Sequence, residues 1–133
     1  MTQTAPRTEL LDGFVSFPEE RAQTYRRRGY WQSKPLDSLL SEAAAGWPDR
    51  TAVTDPEHRY TFAELDSTAD RMAAGFAALA VGAGDRVLLQ LPNSARFAAT
   101  LFGLLRAGAV PVMCLPAHRR AEQPHEAAAA EAQ

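Results

Sequence analysis

The stretch from Gly84 to Pro116 constrains the fold of this chain more than any other part of it. Val87 to Leu91 is a short apolar run, typical of a parallel strand that is buried on both faces. Apolar residues then recur at helical spacing as far as Gly108, and Ala109 to Leu115 forms a second apolar run. Two such strands joined by one helix predict a right-handed βαβ unit over residues 84–116.

The crossover helix is predicted to begin after Pro92 and to end at Gly108, because a residue without Cβ takes a left-handed conformation at the least cost. Asn93 or Ser94 can cap its first turn by accepting a hydrogen bond from a free backbone N–H. The residues predicted to face the core are Phe97, Ala98, Leu101, Phe102, Leu104 and Leu105. The small or polar stripe predicted on the opposite side is Arg96, Thr100, Gly103 and Ala107.

Two amphipathic helices and a hairpin are predicted before this unit. The first helix covers Pro35 to Ala45, and the second runs from Thr61 to Ala80 with a capping box formed by Thr61 and Glu64. Between them, residues 51–54 and 59–61 flank the four-residue turn Asp55-Pro56-Glu57-His58. The apolar side of the first helix is Leu36, Leu39, Leu40 and Ala43. The buried stripe predicted for the second is Leu65, Ala69, Met72, Ala73, Phe76 and Leu79, and the residues expected to face water are Asp66, Ser67, Asp70 and Arg71.

These elements predict an α/β fold: an incomplete layered sheet with a parallel βαβ unit, a preceding hairpin and two amphipathic helices. We divide the chain into a flexible tail at 1–12, an aromatic-rich strap at 13–35, a partial α/β subdomain at 36–120 and a low-complexity alanine and glutamate tail at 121–133. Pro18 and Gly29 bound a short helix within the strap. Arg26, Arg27 and Arg28 are interpreted as a solvated helix face in preference to an anion-binding patch, since adjacent residues point in different directions on a helix.

Composition excludes several classes of function. A formal net charge of −2, without a face that interleaves bases and aromatics, argues against a nucleic-acid-binding surface. No apolar run approaches the ~20 residues of a membrane span, and the amino terminus lacks the apolar core of a signal peptide. Cys114 is the only cysteine, which excludes a disulfide framework. We therefore expect a soluble protein of the reducing cytoplasm.

Motifs that carry chemistry are missing from the sequence. There is no G-x-x-x-x-G-K-[ST] or G-x-G-x-x-G loop to cradle a phosphate, and Ser94 lacks the G-x-S-x-G context of a hydrolase nucleophile. His58 has no second ligand at metal spacing and is interpreted as an exposed turn residue, while Cys114 is interpreted as a small core residue. Asn93 follows a strand where ligands gather in doubly wound sheets, but helix capping is the favoured interpretation. We therefore predict no catalytic, cofactor-binding or metal-binding residue in this chain.

A resemblance to a known family rests on several phrases in order. Those that resemble the opening of AMP-forming acid ligases are Tyr60-Thr61-Phe62-Ala63-Glu64-Leu65, Gly84-Asp85-Arg86-Val87, Leu91-Pro92-Asn93 and Leu105-Arg106-Ala107-Gly108-Ala109-Val110-Pro111. Those that look like the aryl-acid branch are Gly29-Tyr30-Trp31 and Leu115-Pro116-Ala117-His118-Arg119-Arg120. The resemblance covers roughly residues 13–122. It also suggests that Pro111 is tolerated within a strand, where proline normally marks an edge.

The resemblance implies a two-step ligase of siderophore biosynthesis that activates 2,3-dihydroxybenzoate or salicylate. The aryl acid reacts with ATP, assisted by magnesium, and the acyl group then passes to the phosphopantetheine thiol of an aryl carrier protein. The family's Ser/Thr/Gly-rich phosphate loop, aryl-acid pocket, ribose-binding aspartate and late lysine have no counterpart in these 133 residues. ATP and magnesium are thus implied for the full-length family and not for this chain alone.

Three interpretations remain open at this point. The chain is an amino-terminal fragment of an aryl-acid AMP ligase that is inactive alone, one half of a split enzyme that needs a complementing chain, or a small non-enzymatic α/β interaction module. The two predicted strands are apolar enough to require cover on both faces, and the chain supplies too few elements to provide it. We therefore also expect the isolated chain to self-associate or to expose apolar surface.

Overall fold

The computed structural model describes residues 15–116, and the tails predicted at 1–12 and 121–133 lie outside them. Backbone contacts divide the chain into two compact units, the first ending at Ser33 and the second beginning at Lys34. No helix among residues 15–116 is long and apolar enough to cross a membrane.

The first unit contains one helix, α1 (Glu19–Arg27). Pro18 precedes it and Gly29 follows it with φ of +72°, so the predicted helix between these two residues is present. Ring centroids 5.0–5.9 Å apart link the aromatic side chains that surround the helix, in the separation range favoured by aromatic pairs. These side chains are Phe17, Tyr25, Tyr30 and Trp31.

The second unit is α/β and contains two small sheets. Its elements are α2 (Ser38–Gly46), β1 (Thr51–Thr54), β2 (Arg59–Thr61), α3 (Phe62–Ala78), β3 (Arg86–Leu89), α4 (Ala95–Arg106) and β4 (Val110–Met113). Strands β1 and β2 form the antiparallel hairpin, whereas β3 and β4 pair in parallel from Arg86↔Val110 to Leu89↔Met113. Helix α4 connects β3 to β4, which confirms the parallel βαβ unit, the hairpin and the two preceding helices.

Local sequence signals set the ends of the two long helices. The backbone N–H of Glu64 donates to Thr61 Oγ1 (3.2 Å) and that of Thr61 donates to Glu64 Oε2 (2.8 Å), which is the predicted capping box of α3. Ser94 caps α4 by accepting from the N–H of Phe97 at 3.3 Å. Gly108, with φ of +79°, allows the chain to turn from α4 into β4.

The core lies between α3, α4 and the sheets. One cluster contains the buried Leu40, Leu65, Ala69 and Ala99, and a second contains Leu89, Leu104 and Ala109. The predicted core residues of α4 are buried or half-buried. The two parallel strands are shorter than predicted, although the N–H of Cys114, one residue after β4, still donates to the carbonyl of Leu89 at the end of β3.

Gly103 was wrongly placed on an outward stripe. It is buried against α3, and a Cβ at this position would lie 2.5 Å from the Cβ of Met72 and 3.3 Å from the carbonyl oxygen of Ala69. The neighbouring Ala95 and Ala99 are also buried. Small residues therefore allow α3 and α4 to approach closely, and Gly103 is the member of the predicted outward stripe that lies in this contact.

Three predicted core leucines are also corrected, since Leu36 and Leu39 are each 64% exposed and Leu79 is 75% exposed. Leu36 precedes the first residue of α2, and Leu79 follows the last residue of α3. Leu39 lies next to the buried Leu40, about 100° around the helix, so only one of the two can face α3.

Candidate functional site

A cleft of about 390 Å³ lies between the hairpin turn and the start of α4, at the carboxyl end of β3. This is the position at which ligands gather in sheets of this type. The residues that line it are Asp55, Pro56, Glu57, His58, Leu91, Pro92, Asn93, Ser94 and Arg96.

Asp55 ties the two walls of this cleft together. Its Oδ1 accepts from the backbone N–H groups of Glu57 (2.8 Å) and His58 (2.6 Å), which closes the turn. Its Oδ2 accepts from the N–H of Ala95 at 2.7 Å, the first residue of α4. The side chain is only 11% exposed, and a buried carboxylate needs hydrogen-bond partners. The three backbone N–H groups supply them, and together these bonds hold the hairpin against α4.

The hydrogen bond from Ala95 lowers the pKa of Asp55 below its ordinary value of 3.8; burial opposes this shift, and the hydrogen bonds from His58 and Glu57 and the nearby imidazole of His58 add to it. A lowered pKa in the folded state means that the carboxylate stabilises the fold fully above pH 3.8 and ceases to do so as the pH falls through its folded-state pKa.

We therefore expect Asp55→Asn to reduce the urea midpoint of unfolding at pH 7. The difference in midpoint between this variant and wild type is expected to shrink below pH 3.8. A difference that stayed constant from neutral to acidic pH would contradict this role.

His58 is half-buried and was predicted to be exposed. Its Nδ1 lies 3.6 Å from Asp55 Oδ1 and 3.9 Å from Glu57 Oε2, and its ring stacks on Tyr60 with a centroid distance of 6.0 Å. These three contacts explain why His58 is half-buried although it lies in a turn. Residues 15–116 contain no group of three or more His, Cys, Asp or Glu side chains that could hold a metal ion.

Asn93 lies in the cleft wall, but the capping role predicted for it belongs to Ser94. The N–H groups of Ala95 and Phe97 are already used by Asp55 and Ser94. The start of α4 therefore has fewer free N–H donors for an anion than an uncapped helix N-terminus has. The cleft can accept a small polar group through Asn93, His58 and Arg96, but none of these contacts pairs a nucleophile with a base.

A second cleft of about 430 Å³ lies along the first turns of α3. Within it, Arg71 donates to Ser67 Oγ and Thr68 Oγ1, both at 2.8 Å, and Arg59 donates to Thr51 Oγ1 at 3.1 Å. The hydroxyl groups of neighbouring residues thus orient both guanidinium groups. Its lining consists of Arg59, Tyr60, Ala63, Glu64, Ser67, Thr68 and Arg71.

Arg106, at the end of α4, joins three helices. It donates to the carboxylates of Asp66 and Asp70, both at 2.7 Å, and to Ser41 Oγ at 3.1 Å. Burial alone would lower the pKa of Arg106, but the hydrogen bonds to Asp66 and Asp70 outweigh it and raise the pKa. Asp70 faces water as predicted, with 64% of its side chain exposed, whereas the prediction for Asp66 was wrong, because its ion pair with Arg106, 40 positions away, leaves it half-buried.

The remaining candidates make contacts within their own part of the fold. Arg26 lies 3.5 Å from a carboxylate oxygen of Glu19 and 5.7 Å above the Trp31 ring, and Arg27 donates to Thr24, so these exposed side chains bind within their own unit. Cys114 is buried next to the end of β4, in agreement with its predicted place in the core. The prediction that this chain carries no catalytic, cofactor-binding or metal-binding residue stays a prediction.

Comparison with protein families gives a match to the AMP-binding enzyme family over residues 40–133. The chain is 57% identical over 123 residues to a salicyl-AMP ligase / salicyl-S-ArCP synthetase of Mycobacterium tuberculosis, covering 89% of this chain and 22% of that protein. It is 44% identical over 113 residues to a 2,3-dihydroxybenzoate-AMP ligase of Bacillus subtilis, covering 85% of this chain and 21% of that protein. The chain therefore spans about a fifth of the length of these relatives.

Among solved structures, the apo structure of Mycobacterium smegmatis MbtA superposes with a TM-score of 0.85 and 62% sequence identity. The superposition covers 90% of this chain and 23% of MbtA. The elements described above thus match one segment of the longer MbtA chain.

Proposed function

Because this chain belongs to the AMP-binding enzyme family, we propose that it forms the amino-terminal segment of an aryl-acid AMP ligase. The observation that carries the proposal is its 57% identity to a salicyl-AMP ligase across nearly the whole chain, together with 44% identity to a 2,3-dihydroxybenzoate-AMP ligase. We assign the complete enzyme to siderophore biosynthesis in the cytoplasm, where a lone thiol such as that of Cys114 stays reduced.

The reaction proposed for the complete enzyme has two steps. An aryl carboxylate displaces pyrophosphate from ATP to give an aryl adenylate, and the thiol of a carrier-protein phosphopantetheine then displaces AMP to give an aryl thioester. Salicylate and 2,3-dihydroxybenzoate are the proposed substrates, and an aryl carrier protein is the proposed partner.

We propose no magnesium–ATP site on residues 15–116. They hold no cluster of potential metal ligands, and the first N–H groups of α4 are already bonded to Asp55 and Ser94. No step of the reaction is therefore assigned to them. Their proposed role is to build one part of the scaffold, in which Asp55 fixes the hairpin to α4 and Arg106 fixes α2 and α3 to the other end of that helix.

The purified 133-residue chain is expected to show no adenylating activity. Adenylyl transfer depends on preorganised groups that stabilise developing charge at phosphate, and the family's Ser/Thr/Gly-rich phosphate loop and late lysine have no counterpart in these 133 residues. The measurement is ATP–pyrophosphate exchange with salicylate and with 2,3-dihydroxybenzoate, using the M. tuberculosis salicyl-AMP ligase as the positive control. Substrate-dependent exchange that persists through repurification would overturn the assignment of a scaffold role.

A chimera tests the proposed function itself. In this chimera, residues 15–116 replace the matching segment of the M. tuberculosis ligase, and we expect salicylate-dependent exchange within about tenfold of the parent. The reason is that 57% identity to that ligase, with a TM-score of 0.85 to MbtA, supports the same arrangement of helices and strands in the replaced segment. A folded chimera without exchange would contradict the proposal.

A further inference from the structure

The second cleft, along the first turns of α3, carries two arginines, and we call it the arginine cleft. Arg59 of β2 and Arg71 of α3 both line it. In the part of the chain that the structure describes, neither guanidinium group forms an ion pair with a carboxylate. Arg106, by contrast, pairs with three aspartates. The arginine cleft therefore presents positive charge that the described residues leave without a counter-ion.

The acidic side chains of α3 are engaged elsewhere. Asp66 and Asp70 each place a carboxylate oxygen 2.7 Å from a guanidinium nitrogen of Arg106. Glu64 does line the arginine cleft, but its Oε2 accepts from the N–H of Thr61 in the capping box. The side chains that line the cleft thus carry net positive charge.

Neighbouring hydroxyl groups hold both arginines in place without using all their donors. Arg71 donates to Ser67 Oγ and Thr68 Oγ1, both at 2.8 Å. These bonds direct its guanidinium group back toward the start of α3, on the side of the strand that carries Arg59. Arg59 donates through Nε to Thr51 Oγ1 at 3.1 Å. A guanidinium group has more N–H donors than these bonds use, so both arginines can also bind a ligand.

We infer that the arginine cleft binds the phosphate group of a small phosphomonoester. Arginine N–H groups match the spacing of phosphate oxygens, and the net positive charge attracts a dianion more strongly than a monoanion. A cleft of about 430 Å³ is in the usual range for small-molecule sites and has room for an organic group beside the phosphate. Tyr60 and Ala63 line the same cleft and can contact that group. The site takes no part in the reaction proposed above and does not depend on it.

Titrations of the 133-residue chain test this site, with phenyl phosphate as the probe. Inorganic phosphate represents the free ion, and benzoate carries the same ring on a monoanion. Shifts of the backbone amide and arginine Nε–H signals in ¹H–¹⁵N spectra give the dissociation constants. Arg59→Gln with Arg71→Gln removes both charges. Arg86→Gln is the matched control, because Arg86 is an exposed arginine on β3 that does not line the cleft.

We expect phenyl phosphate to bind the double variant at least about tenfold more weakly than wild type, and Arg86→Gln with unchanged affinity. Benzoate is expected to bind wild type at least about tenfold more weakly than phenyl phosphate. Equal binding of phenyl phosphate by wild type and the double variant would overturn the inference. Inorganic phosphate that bound as tightly as phenyl phosphate would overturn the assignment to a monoester.

A chemical footprint decides the case in which self-association prevents the titration. Phenylglyoxal modifies arginine side chains, and mass spectrometry after chymotryptic digestion gives the modified fraction at each of them. Phenyl phosphate is expected to slow the modification of Arg59 and Arg71 severalfold and to leave that of Arg86 unchanged. Equal rates at Arg59 and Arg71 with and without phenyl phosphate would overturn the inference.

Discussion

Gly103→Ala is expected to destabilise the chain, even though alanine is the better helix former. The new Cβ would lie 2.5 Å from the Cβ of Met72. A Cβ atom is bonded directly to the backbone, so no change of rotamer at Met72 can move it away. The helices must therefore separate, and overpacking of this kind typically costs about 1–3 kcal/mol. The urea midpoint and slope at pH 7 measure the change.

Gly75→Ala is the matched control and is expected to change stability in the opposite direction. Gly75 lies within α3, and a Cβ built there meets nothing within 4 Å. Replacing a mid-helix glycine by alanine stabilises a helix by roughly 0.5–1 kcal/mol. If both variants shifted the midpoint in the same direction, the close approach of α3 and α4 at Gly103 would be placed wrongly.

The parts of the fold that the sequence predicts well depend on neighbouring residues. The capping box joins Thr61 to Glu64, and the hairpin turn is closed by hydrogen bonds within residues 55–58. Gly108 ends α4 because its own φ is positive. Each of these interactions spans three residues or fewer, so the pattern of residue types is enough to find it.

The errors arise where contacts are long-range. Gly103 was assigned to solvent because helical periodicity weights large apolar residues, whereas a close helix crossing selects small ones. Asp66 was assigned to water because its partner, Arg106, follows 40 positions later. Periodicity places Leu39 and Leu40 on the same apolar side of α2. Only Leu40 is buried, because the position of α3 decides which of the two is covered.

The candidate site also combines local features, which the sequence predicts, with a long-range contact, which it does not. The loop after β3 lines a cleft, and Ser94, one of the two caps that the sequence allows, is the cap of α4. The sequence carries no sign that Asp55 reaches across 40 positions to the N–H of Ala95, because a turn aspartate has a sufficient local role in closing its own turn. That long-range bond is what leaves little of the helix terminus for a ligand.

Leu104→Ala is expected to lower the free energy of unfolding by about 2–5 kcal/mol, the usual range for truncating a fully buried leucine. Leu104 is 0% exposed and lies in the cluster that joins α4 to Leu89 of β3 and to Ala109, which directly precedes β4. The cavity would therefore open at the centre of the βαβ unit, where a close-packed strand–helix–strand layer cannot collapse without breaking strand register.

Leu79→Ala is the control, because it makes the same chemical change at a leucine that is 75% exposed. Helical periodicity assigns Leu79 to the core as well, but its truncation is expected to change the free energy of unfolding by no more than about 0.5 kcal/mol. Chemical unfolding of both variants at pH 7 gives the comparison. Similar losses for the two would mean that Leu79 is buried after all, and that α3 continues past Ala78 against the sheet.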